Sequence, residues 1–106
     1  MINWDRVAEL RDDIGPDDIG EVVSIFVEEV EEVVDRLRLG RGDDLANDMH
    51  FLKGSALNLG LENLGRECAR AEKMAQVGQG GDVVLSEIIS VYEASKSELL
   101  ARLAML

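Results

Sequence analysis

Residues 15–42 read GPDDIGEVVSIFVEEVEEVVDRLRLGRG, and the fold is decided there. Ile19, Val23, Phe26, Val30, Val33 and Leu37 recur in alternating steps of four and three, the spacing that lines one face of an α-helix. The start is signalled by Gly15-Pro16-Asp17-Asp18, with proline where its missing N–H is harmless and carboxylates where the helix dipole favours them. Leu39-Gly40-Arg41-Gly42 signals the end. Glu28, Glu29, Glu31 and Glu32 fall between the apolar positions and read as the solvated face of this long helix.

Working outward, the same periodicity returns. Asp43 reads as the N-cap of a helix carrying Leu45, Met49, Leu52, Ala56 and Leu59 on one face, with Gly60 as a left-handed stop. Leu61, Leu64, Cys68, Ala71 and Ala75 form the next stripe, closed by Gly78-Gln79-Gly80-Gly81. Asp82 reads as the cap of the last helix, whose stripe is Leu85, Ile88, Tyr92, Ser95, Leu99 and Leu103. Upstream, Ile2, Val7, Leu10 and Ile14 predict a short helix lying across one end of the others, with Trp4 packing it down. One proline, four aromatic residues and no threonine argue against a sheet. Short connections force neighbouring helices to run in opposite directions. The expected fold is therefore all-α: an antiparallel up-and-down four-helix bundle with a short extra N-terminal helix, forming one domain over residues 1–106.

Composition narrows function by exclusion. The 106 residues, 46% hydrophobic and 31% charged, suit one domain. A net charge of −11 disfavours nucleic acid and anionic lipid, so neither is expected as a partner. Residues 1–48 hold 15 of the 22 carboxylates. Cys68 stands alone, which excludes an intramolecular disulfide or a cysteine-based zinc site, reads as a small core residue, and suits a reducing, cytoplasmic setting. Met1 to Leu10 already carries Asp5, Arg6 and Glu9, unlike a signal peptide, and no stretch approaches a membrane span.

The chemistry concentrates in His50-Phe51-Leu52-Lys53-Gly54-Ser55-Ala56, which contains the only histidine. At about 100° per residue, His50 points roughly 140° away from the Leu45, Met49, Leu52, Ala56, Leu59 stripe, into solvent. Lys53, Gly54 and Leu57 follow on the same ridge. Glycine inside a helix costs about 1 kcal/mol relative to alanine, so Gly54 reads as clearance for another body approaching the backbone beside His50. Met49 to Leu61 holds no carboxylate, a gap of thirteen residues, and the histidine surface is accordingly expected to be free of acid.

His50, Leu52, Lys53, Gly54, Ser55, Ala56 and Gly60 together resemble the His-x-Leu-Lys-Gly-Ser-Ala motif and following glycine of histidine-containing phosphotransfer (HPt) domains. Phe26, Gly42-Asp43, Leu64, Cys68 and Glu72 extend the resemblance along the chain. It implies a helical bundle whose His50 accepts a phosphoryl group from a receiver-domain aspartate and passes it to another receiver. By the same resemblance Lys53 is the phosphoryl-side cation and Gly54 the clearance for the docking receiver, while Leu57, next on the ridge, reads as part of the docking surface. The implied partners are response-regulator receiver domains and a hybrid sensor histidine kinase. The chain would be a monomeric phosphocarrier rather than an ATP-dependent kinase, without a cofactor or metal site of its own, the receiver bringing Mg²⁺. One alternative is a helical adaptor that binds a signalling partner without being phosphorylated. Another is the phosphoacceptor segment of a histidine kinase, but Phe51 and Ser55 occupy the places where such segments commonly carry an acid and a proline.

Overall fold

In a computed structural model describing residues 2–40 and 44–104, the apolar stripes become five α-helices. These are α1 (Trp4–Ile14), α2 (Ile19–Leu39), α3 (Leu45–Asn58), α4 (Glu62–Gln76) and α5 (Leu85–Leu103), with a short 3-10 helix at Gly80–Asp82 before the last. Among the described residues there is no strand, only one isolated antiparallel bridge between Ile2 and Leu61. The four long helices surround a common core: α2 lies against α3 and α5, and α4 against α3 and α5. Val23, Val30 and Leu37 of α2 meet Met49, Leu52 and Ala56 of α3, Leu64 and Cys68 of α4, and Ile88, Tyr92 and Leu99 of α5, all buried. Each large aliphatic side chain so buried contributes roughly 1.5–3 kcal/mol, offset by the entropy of ordering the chain.

The α3–α4 connection is the tightest in the fold, and glycine makes it possible. Gly60 adopts φ +75°, as the sequence suggests, and a Cβ there would lie 2.6 Å from the backbone oxygen of Asn3. Asn3 N–H donates to the Gly60 carbonyl at 2.7 Å and Arg6 Nε to the Asn58 carbonyl at 3.2 Å, which pins the start of α1 on this turn. Trp4 packs partly buried against the core, its ring under the Arg102 guanidinium at 4.5 Å. A second glycine, Gly65 of α4, is buried where the Leu57 side chain reaches across from α3; a Cβ there would lie 2.9 Å from Leu57 Cδ2.

The helix ends depart from the sequence reading in three places. Pro16 to Asp18 form a turn after Gly15, which closes α1 with φ 105°, and α2 opens at Ile19. Asp43 lies outside the described residues; the N-cap of α3 is Asp44, whose side chain accepts from Asn47 N–H at 3.1 Å. Asp82 ends the 3-10 helix instead of capping α5, whose N-cap is Val84 without a side-chain hydrogen bond. Extended backbone at Val83 and Val84 separates Asp82 from the first turn of α5 and puts its carboxylate out of capping position. One acid of the supposedly solvated face is also engaged. Glu31 turns toward α5 and accepts hydrogen bonds from Tyr92 and Lys96, because the buried stripe of α2 is widened by Val34 on that side.

Candidate functional site

Helix α3 divides its residues sharply. Met49 and Leu52 are fully buried, whereas the His50 side chain between them is 67% exposed, as its direction on the helix requires. Its Nδ1 lies 2.8 Å from Oε2 of Glu72, which reaches across from α4. The other oxygen of the same carboxylate, Oε1, accepts from Lys53 Nζ at 2.6 Å. Glu72 is buried apart from this contact, four residues after Cys68 and thus at the edge of the apolar stripe of α4.

The expectation of an acid-free histidine surface is therefore overturned. The gap in carboxylates is real along α3, but the packing of α4 against α3 carries Glu72 to His50. A linear reading registers neighbours along one helix; apposition of two helices is set by the whole core. The available signal was a carboxylate at a stripe position, next to Ala71 and one turn after Cys68, where burial without a partner would be costly.

The electrostatics follow from this pairing. The Lys53 ammonium, helped by the bond to His50, holds the Glu72 carboxyl below its ordinary value of 4.5 against the opposing effect of burial. An ionised carboxylate only accepts hydrogen bonds, so the hydrogen in the His50–Glu72 contact sits on Nδ1. A neutral imidazole then keeps its lone pair on Nε2, pointing away from Glu72. Lys53 is half-buried and committed to Glu72, leaning toward α4 instead of standing free on the ridge.

Gly54 lies on the exposed surface one turn after His50, and a Cβ there would meet nothing within 4 Å. Its glycine is thus not demanded by packing within the chain. Leu57 is 54% exposed yet rests the end of its side chain over Gly65, so it belongs partly to the ridge and partly to the α3–α4 contact. Phe51 is exposed on the opposite flank, toward α2. Cys68 is buried, and burial pushes its thiol up to about 12, leaving it protonated and unreactive near neutral pH. Among the described residues no three His, Cys, Asp or Glu side chains come together as metal ligands.

The bundle thus presents one solvent-facing histidine, hydrogen-bonded to a carboxylate from the next helix. Comparison with protein families matches residues 21–104 to the Hpt domain, and the chain belongs to that family, the histidine phosphotransfer domains of phosphorelays. Neither the curated proteins nor the solved structures gave a match. Among the described residues no helix is long and apolar enough to cross a membrane.

Proposed function

We propose that this chain is a phosphocarrier in which His50 accepts a phosphoryl group from the aspartyl phosphate of one receiver domain and yields it to another. The observation that carries this reading is the Glu72 contact to Nδ1, which leaves Nε2 as the exposed nucleophile. In the forward step Nε2 attacks phosphorus, the N–P bond forms, and the P–O bond to the receiver's aspartate breaks with its electron pair going to that carboxylate. Positive charge develops on the ring, and the Glu72 carboxylate beside Nδ1–H stabilises it without moving. Transfer onward reverses these events. Lys53 positions Glu72 and adds positive potential near the incoming phosphoryl oxygens. Gly54 leaves the backbone bare for the receiver, and Leu57 supplies apolar contact. Mg²⁺, held by the receiver, would neutralise charge on the phosphoryl group during transfer.

On this reading residues 1–106 form a single domain and act as a monomer. The four long helices run up and down as an antiparallel bundle, which is supported by the short α3–α4 turn and by the packing order of the helices. A hybrid sensor kinase is the expected source of phosphate, and a cytoplasmic setting suits the single buried thiol. Incubation with a panel of phosphorylated receiver domains tests the proposal. The chain should gain acid-labile label, His50→Gln should abolish it with a stability change under about 0.5 kcal/mol, and ATP with Mg²⁺ should give no label. Acid-stable label, or label that persists in His50→Gln, overturns the assignment.

A further inference from the structure

The ridge that carries His50 separates two grooves of opposite charge. On one side, between α2 and α3, the lining includes Glu29, Glu32, Arg36, Asp48 and Phe51. Arg36 and Asp48 neutralise each other in an ion pair of 2.9 Å, leaving Glu29 and Glu32 as uncompensated negative charge. On the other side, between α3 and α4, the charged lining is Lys53, Arg70, Glu72 and Lys73. Here Lys53 and Glu72 cancel, leaving Lys73 uncompensated and Arg70 only partly so. Arg70 also bonds Glu67 at 2.9 Å, a residue that faces the neighbouring groove toward α5, so Lys73 is the stronger half of this cationic side. In a chain whose net charge is −11, a positive groove beside the one reactive ring is a local reversal of the prevailing field.

We infer that the receiver docks astride α3 in one electrostatic orientation, with a cationic surface toward Glu29 and Glu32 and an anionic surface toward Arg70 and Lys73. The inference rests on the phosphocarrier reading and adds to it the charge pattern a partner must have. A receiver fits the positive groove, because the aspartyl phosphate and the carboxylates that hold Mg²⁺ concentrate negative charge around the transferring group. Exposed charge pairs contribute little affinity individually, but a field of two signs aligns the encounter before contact and rejects partners with the reverse pattern. A second copy of this chain would also present both signs, but a dimer formed through these grooves would cover His50.

Two double variants separate an oriented field from overall charge. Glu29→Lys with Glu32→Lys raises the net charge by four units, and Arg70→Glu with Lys73→Glu lowers it by four, since each substitution changes the charge by two. The probe is the phosphorylated receiver that loads the unaltered chain fastest, kept below saturation. Its transfer rate for each variant is divided by that variant's labelling rate with phosphoramidate, which needs no docking. Both variants should lose about tenfold in this ratio at low salt, and both losses should shrink at about 0.5 M salt, where the screening length falls to a few ångströms. Lys73→Glu alone should lose less, in the same direction. If one double variant slows and the other speeds, total charge governs the encounter and the oriented-docking inference fails. It also fails if neither variant changes, or if sedimentation shows the unaltered chain dimeric through these grooves. Should phosphoramidate and every receiver fail to label His50 in the unaltered chain, the phosphocarrier reading itself falls, and this inference with it.

Discussion

Two carboxylates in this bundle are held in nearly the same way but hold rings of very different exposure. Glu72, between α3 and α4, accepts from Lys53 and from the ring of His50. Glu31, between α2 and α5, accepts from Lys96 at 2.5 Å and from the hydroxyl of Tyr92 at 2.6 Å. In each, a lysine and an aromatic ring from a packed helix meet one acid, and in each the lysine is the leading cause that holds the carboxyl below its ordinary value of 4.5. The difference lies in the ring. Tyr92 is 2% exposed, with burial and the Glu31 contact pushing its pKa far up, so it keeps its proton and serves as a clamp. His50 stands in solvent with one nitrogen tied and the other bare. The same polar unit either encloses its aromatic member or leaves a ring nitrogen open to solvent, according to whether that ring reaches water.

The largest contrast should come from removing the acids. Glu72→Ala is expected to slow receiver-to-His50 transfer at least about tenfold, on the scale of one lost charge-assisted hydrogen bond, and to move the ¹⁵N signals of the His50 ring away from the Nδ1–H tautomer. Glu31→Ala should lower the melting temperature and leave transfer within about twofold. Equal losses of transfer in both variants would erase the distinction between the two carboxylates.

A smaller effect is expected at the clamp. Tyr92→Phe should reduce stability by about 1–2 kcal/mol, as loss of a buried hydroxyl bond to a charged acceptor does, with transfer to His50 unaffected. Chemical denaturation followed by helicity, beside the receiver assay, checks both halves.

The mildest test uses pH. Both acids have folded-state pKa values below the unfolded value, so the stability they contribute is complete above about pH 4.5 and is lost as pH falls through their lowered values. Lys53→Met should raise the midpoint of Glu72 in a carboxyl ¹³C titration and leave that of Glu31 in place. Because the acid loss scales with the gap between the unfolded and folded values, the variant should lose less stability than the unaltered chain as pH falls below about 4.5. Movement of both midpoints would mean that the two sites are coupled through the core.

Much of this architecture was legible in the sequence because helical periodicity reports burial directly. Val23, Val30, Met49, Leu52, Leu64, Cys68, Ile88 and Leu99 all lie where their spacing places them, in the core. The exposure of His50 and the left-handed turn at Gly60 follow from the same arithmetic. Capping was harder to read: the sequence reading places the cap of α3 at Asp43, whereas the N-cap is its neighbour Asp44. The contacts of Glu31 and Glu72 escaped because each residue lies at the flank of its stripe, one residue from a buried neighbour. At such positions the angle along one helix leaves a side chain free to face water or the next helix. Which it meets depends on a partner contributed by a distant part of the chain. The two grooves beside α3 are invisible in sequence for the same reason, since each takes its charges from two helices.

The tight turn at Gly60 has a further consequence, for chain entropy. The His50–Glu72 contact spans 22 positions, whereas the Tyr92–Glu31 contact spans 61. Loop-closure cost grows slowly with length, by about 0.6 kcal/mol per doubling, so the His50–Glu72 pair is the cheaper of the two to close. It also lies inside one helical hairpin. A fluctuation that lifts α5 from α2 breaks the clamp but leaves His50, Glu72 and Lys53 on two helices joined by their own short turn. An opening confined to the α2–α5 seam would therefore leave the exposed His50 nitrogen in its orientation.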